Sequence, residues 1–259
     1  MEIESLRKSN VKLWVSKSTE KEKFYKVGRE FVIDLLSGMA KLAIKYYHGS
    51  GCMDFPYRQG ERQLTSLILP TLSKMSNGAV MVEYPVKRNR NTKEVKFENA
   101  SGRLDYWCIY KDFSFAIEVK HSFDAFKTSK TCMKDIDKWR YLNNGQIVSL
   151  KKEIQSEWTD PTKGVIPIGL HFITSYSYSS KPLTEEKRSE IIKQYKKGIS
   201  TLLDRLQCDV CKKKPTKTTP NIMACWMPID DMIFPDDYWA FPGLIVMAKL
   251  FQPIPLNNR

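Results

Sequence analysis

The stretch from residue 102 to residue 120 constrains the fold of this chain more than any other. Two runs rich in β-branched and aromatic residues, 102–110 and 113–120, flank the polar dipeptide Lys111-Asp112. Strand-forming runs on either side of a short polar break are typical of a β-hairpin. A two-residue loop would pair the residues symmetrically about the turn: Tyr110 with Phe113, Trp107 with Ala116 and Asp105 with Glu118.

Alternation along the strands divides this predicted hairpin into two faces. One face is almost entirely apolar, which indicates a core side: Tyr106, Cys108, Tyr110, Phe115, Ile117 and Val119. The other face collects Asp105, Glu118 and Lys120 at one end. Carboxylates directly opposite each other repel, because their Cβ atoms are only about 4.5–5.5 Å apart. A bound cation would relieve that repulsion.

Two carboxylates and a lysine on one face are the groups that metal-assisted phosphodiester hydrolysis requires. A hard cation such as Mg²⁺ binds carboxylate oxygens, water and substrate phosphate. Lys120, two residues beyond Glu118, would orient or help activate the attacking water. The alternative is a half-exposed hairpin whose charged residues form surface ion pairs, worth about 0–1 kcal/mol each. The hairpin alone leaves both interpretations open.

The pattern of Asp105 followed by Glu118-Val119-Lys120 resembles the motif of the PD-(D/E)xK, or restriction-endonuclease-like, nuclease superfamily. There an Asp at the start of one strand is followed by Glu-x-Lys at the end of the next. The chain has Leu104 where the name of the motif has Pro, a loosely held position in the superfamily. The resemblance implies that Asp105, Glu118 and Lys120 are catalytic. It also implies that Asp105, Glu118 and the Val119 carbonyl hold Mg²⁺, with Mn²⁺ as a substitute.

Glu61 is the candidate for a third acidic residue at this site. Residues 61–75 have a helical apolar stripe, broken by Pro70, which is expected to kink or interrupt the helix. Superfamily members often bring a Glu from the helix before the sheet to the metal, so the resemblance makes Glu61 a catalytic and metal-binding candidate. The alternative is an acidic residue favoured in a first turn by the helix dipole.

The predicted elements between residues 61 and 176 follow the order helix, strand, strand, strand, helix, strand. This is the αβββαβ order of the restriction-endonuclease-like core, so the expected fold is α/β, a mixed central sheet flanked by helices. Residues 20–60, with a helix at 20–47 that ends at the glycines 49 and 51, form an N-terminal helical addition. Residues 177–259, with a helix at 185–206 and strands at 222–227 and 244–251, form a C-terminal α/β addition. We expect a single nuclease domain over 1–259, with residues 1–19 unassigned.

The charge of the chain points to a polyanionic partner. Its 42 Lys plus Arg against 29 Asp plus Glu give a net charge of +13. Such an excess favours nucleic acid first and an anionic membrane second. The sequence contains no apolar run near the roughly 20 residues of a spanning helix, and its acidic first residues, which lack a basic region and an apolar stretch, lead us to expect no secretory signal. We therefore expect a cytoplasmic protein that binds double-stranded DNA and no membrane, in a form compatible with a homodimer.

A basic loop is the first predicted nucleic-acid contact. Residues 87–93 are predicted to join two strands that lead to the acidic site, and they include Lys87, Arg88 and Arg90. Arg and Lys make most of the contacts that position a protein on a nucleic-acid backbone. The alternative is a solvated turn.

Residues after the Glu-x-Lys strand supply further candidate contacts. His121 is a candidate substrate contact, with a structural role as the alternative. Residues 124–143 are predicted to form a helix that stops at Asn143-Asn144-Gly145 and carries Lys130 and Lys134 on one face. That stripe is expected to face a duplex or to be an ordinary solvated face. His171, within the apolar run 164–176, is expected to be a core residue.

These features together predict a Mg²⁺-dependent phosphodiesterase, a DNA endonuclease of restriction, mobile-element defence or DNA repair. The competing prediction is a catalytically inactive nucleic-acid-binding or assembly module of the same fold.

Overall fold

The described residues fold into one eight-stranded mixed sheet with helices on both faces. The computed structural model describes residues 2–8, 11–17, 20–51, 55–91, 96–128, 131, 133–150, 154, 162–211 and 219–255, with only the backbone for 87–91, 96–101, 133, 211 and 230. The strands are β1 (Ile3–Lys8), β2 (Val11–Ser16), β3 (Val80–Asn91), β4 (Lys96–Tyr110), β5 (Phe113–Ala125), β6 (Val165–Tyr178), β7 (Ile222–Trp226) and β8 (Trp239–Leu250). Their order across the sheet is β1-β2-β7-β8-β6-β5-β4-β3.

Two layers of helices enclose this sheet. The helices are α1 (Lys23–Ser50), α2 (Glu61–Met75), α3 (Met133–Arg140), α4 (Glu185–Cys211) and the short α5 (Asp230–Ile233). Strand β8 shows the division, because Leu244 and Val246 join the apolar cluster of α1 and α2, whereas Ile245 and Met247 join that of α3 and α4. This alternation places α1 and α2 on one face and α3 and α4 on the other.

The predicted hairpin forms in the predicted register. Strands β4 and β5 pair antiparallel, with Tyr110 opposite Phe113 and Trp107 opposite Ala116. Lys111 in the turn has a φ of 54°, as tight two-residue hairpin turns require. The six residues predicted to face the core all belong to the apolar cluster under α1 and α2: Tyr106, Cys108, Tyr110, Phe115, Ile117 and Val119.

The order of elements from α2 to β6 agrees with the sequence prediction. Strands β3, β4 and β5 pair antiparallel in succession, and β5 then pairs in parallel with β6 over its full length. Helix α3 provides the crossover between these two parallel strands. The predicted end of the first helix is also correct, since Gly51, with a φ of 63°, caps α1 by donating to the Tyr47 carbonyl at 2.8 Å.

The helix predicted over residues 124–143 is wrong at both ends. Strand β5 continues to Ala125, which pairs with Tyr176 on β6, so the backbone hydrogen bonds of this part are used in the sheet. Helix α3 begins only at Met133, and the predicted stop at Asn143-Asn144-Gly145 lies inside a π-helical turn, Tyr141–Gln146. Helical backbone continues beyond that turn to residue 150.

The loop predicted at residues 87–93 is also wrong over its described part, residues 87–91, which are strand. Strand β3 extends to Asn91, and its pairing with β4 includes Lys87, Arg88 and Arg90, with an irregularity between the two arginines. The long ladder therefore carries these residues on an edge strand. Pro70 does not interrupt α2, which is continuous from Glu61 to Met75.

Both chain ends add strands to the central sheet. The unassigned N-terminal residues form the hairpin of β1 and β2, and β2 pairs with β7. Strand β8 joins β7 to β6, so the C-terminal strands continue the sheet of the predicted core. The β1–β2 hairpin thus lies before the predicted helical addition of residues 20–60 and belongs to the same sheet as the predicted core. Within the described part of the chain, no helix has both the length and the apolar character to cross a membrane.

Candidate active site

Asp105 lies where the pairing of β4 with both of its neighbours is interrupted. Counted from the turn, the last paired residues of β4 and β5 are Tyr106 and Ile117. The pairing therefore stops just before Asp105 and Glu118, which would be the next pair in this register. On the other side, the β3–β4 pairing skips Glu83, whose φ of 50° is left-handed. Such a backbone conformation is uncommon outside glycine and often marks a functional constraint. At this break the Asp105 side chain takes the place of a backbone acceptor, because its Oδ2 accepts the Val119 N–H at 2.7 Å.

Glu118 is fully buried and is oriented by a residue that the sequence did not single out. Its Oε2 accepts a hydrogen bond of 2.8 Å from Nε2 of Gln146, the last residue of the π-helical turn. π-Helical turns are rare and often occur at functional sites, because the extra residue shifts where the following side chains point. No periodic pattern in the sequence indicates such a turn, so no clear signal marked Gln146.

A glycine on the neighbouring strand lets this turn approach the sheet. Gly169 is paired with Glu118 across the parallel β5–β6 ladder. A Cβ atom at Gly169 would lie 2.8 Å from Oδ1 of Asn143 and 3.2 Å from Cγ of Leu142. The absence of a side chain at this position therefore allows the π-helical turn to pack on the backbone beside Glu118.

Lys120 connects the strand end to the start of α2. Its Nζ donates to Oε1 of Glu61 at 3.1 Å and to the Val119 carbonyl at 2.8 Å. The lysine side chain is 17% exposed and the glutamate 43% exposed, so the ion pair lies at the rim of the site. Glu61, the first residue of α2, therefore contacts Lys120 of the Glu-x-Lys segment.

Three carboxylates act on the electrostatics of Tyr106. Burial raises the pKa of this phenol, the negative charges of Asp105, Glu61 and Glu83 raise it further, and a hydrogen bond with Thr65 acts in the opposite direction. Glu83 is therefore a fourth acidic residue near the site, beside the three predicted ones. It pairs with Arg103 on the exposed side of the sheet.

The donor set fits a hard cation through two carboxylates and a carbonyl. Asp105 and Glu118 supply oxygens, each carboxylate accepts a hydrogen bond from an N–H donor, and the Val119 carbonyl directly follows Glu118 in the sequence. Oxygen donors of this kind suit Mg²⁺, which is commonly bound by one or two carboxylates and completes its shell with water. Among the described residues, no group of three or more His, Cys, Asp and Glu side chains is arranged as a metal site. Glu61 as a direct ligand stays a prediction.

Two buried histidines lie on the strands next to Lys120, His121 on β5 and His171, which pairs with Lys120, on β6. His121 is 4% exposed and shares a hydrogen bond of 3.0 Å with Oγ1 of Thr174. Burial, together with the charge of Lys138, lowers the pKa of His121 to about 4. His171 is fully buried, as predicted, and its Nε2 contacts the Ser122 hydroxyl at 2.9 Å. These contacts fit the structural alternative for His121, and its substrate contact stays a prediction.

Four of the five basic residues predicted to contact nucleic acid have side chains outside the described part of the chain. The side chains of Lys87, Arg88 and Arg90 lie outside the described residues, as does Lys130. Lys134 is exposed on α3. These five contacts stay predictions.

Comparison of the chain with family models, with curated proteins and with solved structures found no match. The functional interpretation therefore rests on the geometry described above.

Proposed function

We propose that this protein is a metal-dependent nuclease that hydrolyses phosphodiester bonds. One observation carries the proposal. Asp105 and the Glu118-Val119-Lys120 segment lie where the β4–β5 pairing ends, and each functional side chain is anchored: Asp105 by the Val119 N–H, Glu118 by Gln146 and Lys120 by Glu61. Groups held in this way are pre-organised for chemistry on a charged substrate.

The topology supports the same proposal. Three antiparallel strands, a crossover helix and a strand parallel to the third follow α2 in the order expected for the restriction-endonuclease-like core. Asp105 and the Glu118-Val119-Lys120 segment lie on the second and third of these strands, but in the interior of β4 and β5, whereas the resemblance implies the start of one strand and the end of the next. A fold by itself does not identify an activity, so the topology adds weight only together with the site.

Mg²⁺ or Mn²⁺ would be held by Asp105, Glu118 and the Val119 carbonyl. A cation there supplies positive charge to phosphoryl oxygens and lowers the pKa of water. Glu118 and Asp105 orient the site through their fixed oxygens, and Lys120 donates hydrogen bonds to the attacking water or to the phosphate. Glu61 holds the ammonium of Lys120 in place. Gln146 keeps the Glu118 side chain in one orientation.

DNA is the proposed substrate, and endonucleolytic cleavage the proposed action. The net charge of +13 favours a polyanion. Restriction, mobile-element defence and DNA repair are the roles that the resemblance implies.

A non-catalytic nucleic-acid-binding module is the second candidate, because two observations favour it. Glu118 is fully buried and Lys120 is engaged in an ion pair. A binding module that kept the fold without the chemistry would retain both contacts as structural ones.

A cleavage assay distinguishes the two candidates. Purified protein is incubated with supercoiled plasmid, linear duplex, single-stranded DNA and RNA, with Mg²⁺, with Mn²⁺ or with chelator. The nuclease proposal expects cleavage that depends on the metal and is lost in Asp105→Ala and in Lys120→Ala. Cleavage that persists in both variants would show that the activity belongs to another site or to a contaminant. Binding without cleavage under every metal would favour the second candidate.

A further inference from the structure

An open aromatic cleft lies beside the candidate active site. It has a volume of about 630 Å³, and its lining includes Arg58, Phe123, Tyr176, Asp236, Trp239 and Phe241. Small-molecule sites typically measure about 300–1,000 Å³ and combine apolar walls with a few polar groups. The cleft is therefore large enough for a nucleotide.

The rings of this cleft are arranged around Trp239. Its ring lies 5.9 Å from that of Tyr176 and 6.1 Å from that of Phe241, in the second case nearly parallel at 14°. Trp239 is 36% exposed and Phe123 is 37% exposed. Large aromatic side chains grouped at the surface often mark interaction sites, because soluble proteins rarely expose contiguous apolar patches that have no binding role.

Two residues of the cleft are near the acidic site along the chain, one on β5 and one in the segment before α2. Phe123 comes three residues after Lys120, so their Cα atoms are separated by about 10 Å at roughly 3.3 Å per strand residue. Arg58 comes three residues before Glu61, the ion-pair partner of Lys120. A distance of about 10 Å equals roughly three base steps of about 3.4 Å each. Side chains alternate along β5, so Phe123 lies on the α1–α2 face of the sheet, and the Lys120 ammonium contacts Glu61 at the start of α2 on that side. A strand bound at this ammonium is therefore within reach of the cleft.

The polar groups of the cleft suit a nucleobase. The guanidinium of Arg58 lies 5.0 Å from the ring centre of Phe241 and donates to the Met232 carbonyl, which gives the cleft a buried positive charge. Asp236 is held by the N–H groups of Tyr238 and Trp239, at 2.7 and 2.9 Å. A cation and a carboxylate beside aromatic rings offer both a donor and an acceptor to the polar edge of a stacked base.

From this arrangement we infer that the cleft binds an unpaired nucleobase of the strand whose phosphodiester lies at the acidic site. The inference rests on the proposed function and narrows its substrate to DNA with at least one unpaired base near the cut. Bases inside a duplex stack on each other, so their faces are inaccessible to Trp239. An unpaired base offers its face for stacking, which is how proteins bind single strands without reading their sequence.

The test compares two probes of equal charge. Fluorescence anisotropy measures the Kd for oligodeoxythymidine of about 12 nucleotides, within the range of single-strand sites, and for an abasic strand of the same length. Chelator is present, so no cleavage occurs. We expect the wild type to bind the thymidine strand about 5- to 150-fold more tightly, which corresponds to about 1–3 kcal/mol of stacking per base. We expect Trp239→Ala and Phe123→Ala to lose most of that preference, without a large change for the abasic strand.

Two further variants control for folding and position. Trp239→Phe keeps an aromatic face, so we expect it to retain most of the preference even if Trp239→Ala unfolds. Tyr46→Ala removes another exposed aromatic side chain, from α1, and we expect wild-type binding of both probes. A wild type without base preference, or a preference unchanged in the Trp239 and Phe123 variants, would overturn the inference. The second result would show that the bases are bound at another site.

The outcome is separate from that of the proposed function. A protein that shows the Trp239-dependent preference but cuts nothing with any metal would contradict the proposed chemistry and support base binding. A protein that cuts duplex plasmid in an Asp105-dependent way, but shows no base preference, would support the proposed chemistry and contradict base binding.

Discussion

The backbone N–H of Val119 donates a hydrogen bond of 2.7 Å to Oδ2 of Asp105. This contact ties the acidic residue of β4 to the middle residue of the Glu-x-Lys segment on β5, at the position where the ordinary strand pairing has ended. A side chain thus replaces a backbone acceptor there. The two halves of the candidate site are held together by that replacement.

Two substitutions of Asp105 separate its structural contribution from its chemical one. Asp105→Asn keeps an oxygen that accepts the Val119 N–H, so we expect little change in unfolding free energy and loss of cleavage. Asp105→Ala leaves a buried N–H without its acceptor, and we expect an additional loss of about 1–3 kcal/mol of stability. Urea unfolding and plasmid nicking with Mg²⁺ measure the two effects. Full cleavage by the Asn variant would contradict a role in holding the metal.

Gln146→Ala should reduce activity through the orientation of Glu118. The buried carboxylate loses its donor, so we expect a loss of about 1–3 kcal/mol in unfolding free energy. We also expect a loss of about 10- to 100-fold in cleavage rate or in metal affinity, the usual effect of removing a partner of a ligand. The matched control is Asn144→Ala, an exposed residue of the same turn, which should leave both quantities unchanged.

Gly169→Ala tests the same geometry from the neighbouring strand. The added methyl group would meet Asn143 and Leu142, so the π-helical turn must shift away from the sheet. Overpacking of this kind costs about 1–3 kcal/mol. Because the shift moves Gln146 from Glu118, we expect reduced cleavage as well, measured as a higher Mg²⁺ concentration for half-maximal rate. Wild-type values for both stability and metal dependence would show that the turn is not held by this contact.

Glu61→Gln tests whether Glu61 positions Lys120 or binds the metal. The observed ion pair favours positioning, so we expect a cleavage rate reduced by less than the roughly 10²- to 10⁴-fold that loss of a proton-transfer group produces. Stability should change by less than about 1 kcal/mol, because the glutamate is partly exposed. The Mg²⁺ concentration for half-maximal rate should stay constant.

A large rise in that concentration would instead identify Glu61 as a ligand. Glu186→Gln, an exposed glutamate in the first turn of α4, controls for the loss of a charge alone.

Stability should fall on acidification because of His171. Burial lowers the pKa of this imidazole to about 3, below its ordinary value of 6.5. Between those values the unfolded chain binds a proton that the folded chain excludes, so the unfolding free energy falls as the pH falls through 6.5 towards 3. Each pKa unit corresponds to about 1.4 kcal/mol, so the effect amounts to a few kcal/mol.

Urea unfolding at several pH values, for the wild type and for His171→Gln, measures this effect. The variant removes the titrating group, so its unfolding free energy should depend less steeply on pH. Burial also raises the pKa values of Asp124 and Asp135, which titrate in both proteins and do not enter the comparison. An equal slope in the two proteins would refute the assignment to His171.

The predictable parts of this fold are those determined by local pattern. The register of the β4–β5 hairpin follows from a two-residue polar break between strand-forming runs, and α1 follows from its apolar stripe and its terminal glycine. The extension of β5 to Ala125 was not predictable in the same way, because it depends on pairing with β6, whose residues come about fifty positions later. The N-terminal hairpin was missed for a similar reason, since β2 is stabilised by β7 near the other end of the chain.

The sequence by itself determined which chemical groups share one face of the hairpin, because alternation along a strand is a property of the backbone alone. It thereby identified Asp105, Glu118 and Lys120 as one set. Only the tertiary structure decided which residues hold them: Gln146 from a π-helical turn holds Glu118, and Glu61 from the start of α2 holds Lys120. It also decided that the cleft of Trp239 lies beside them. These contacts join elements distant in sequence, so they depend on how the helices pack on the sheet, which no local pattern encodes.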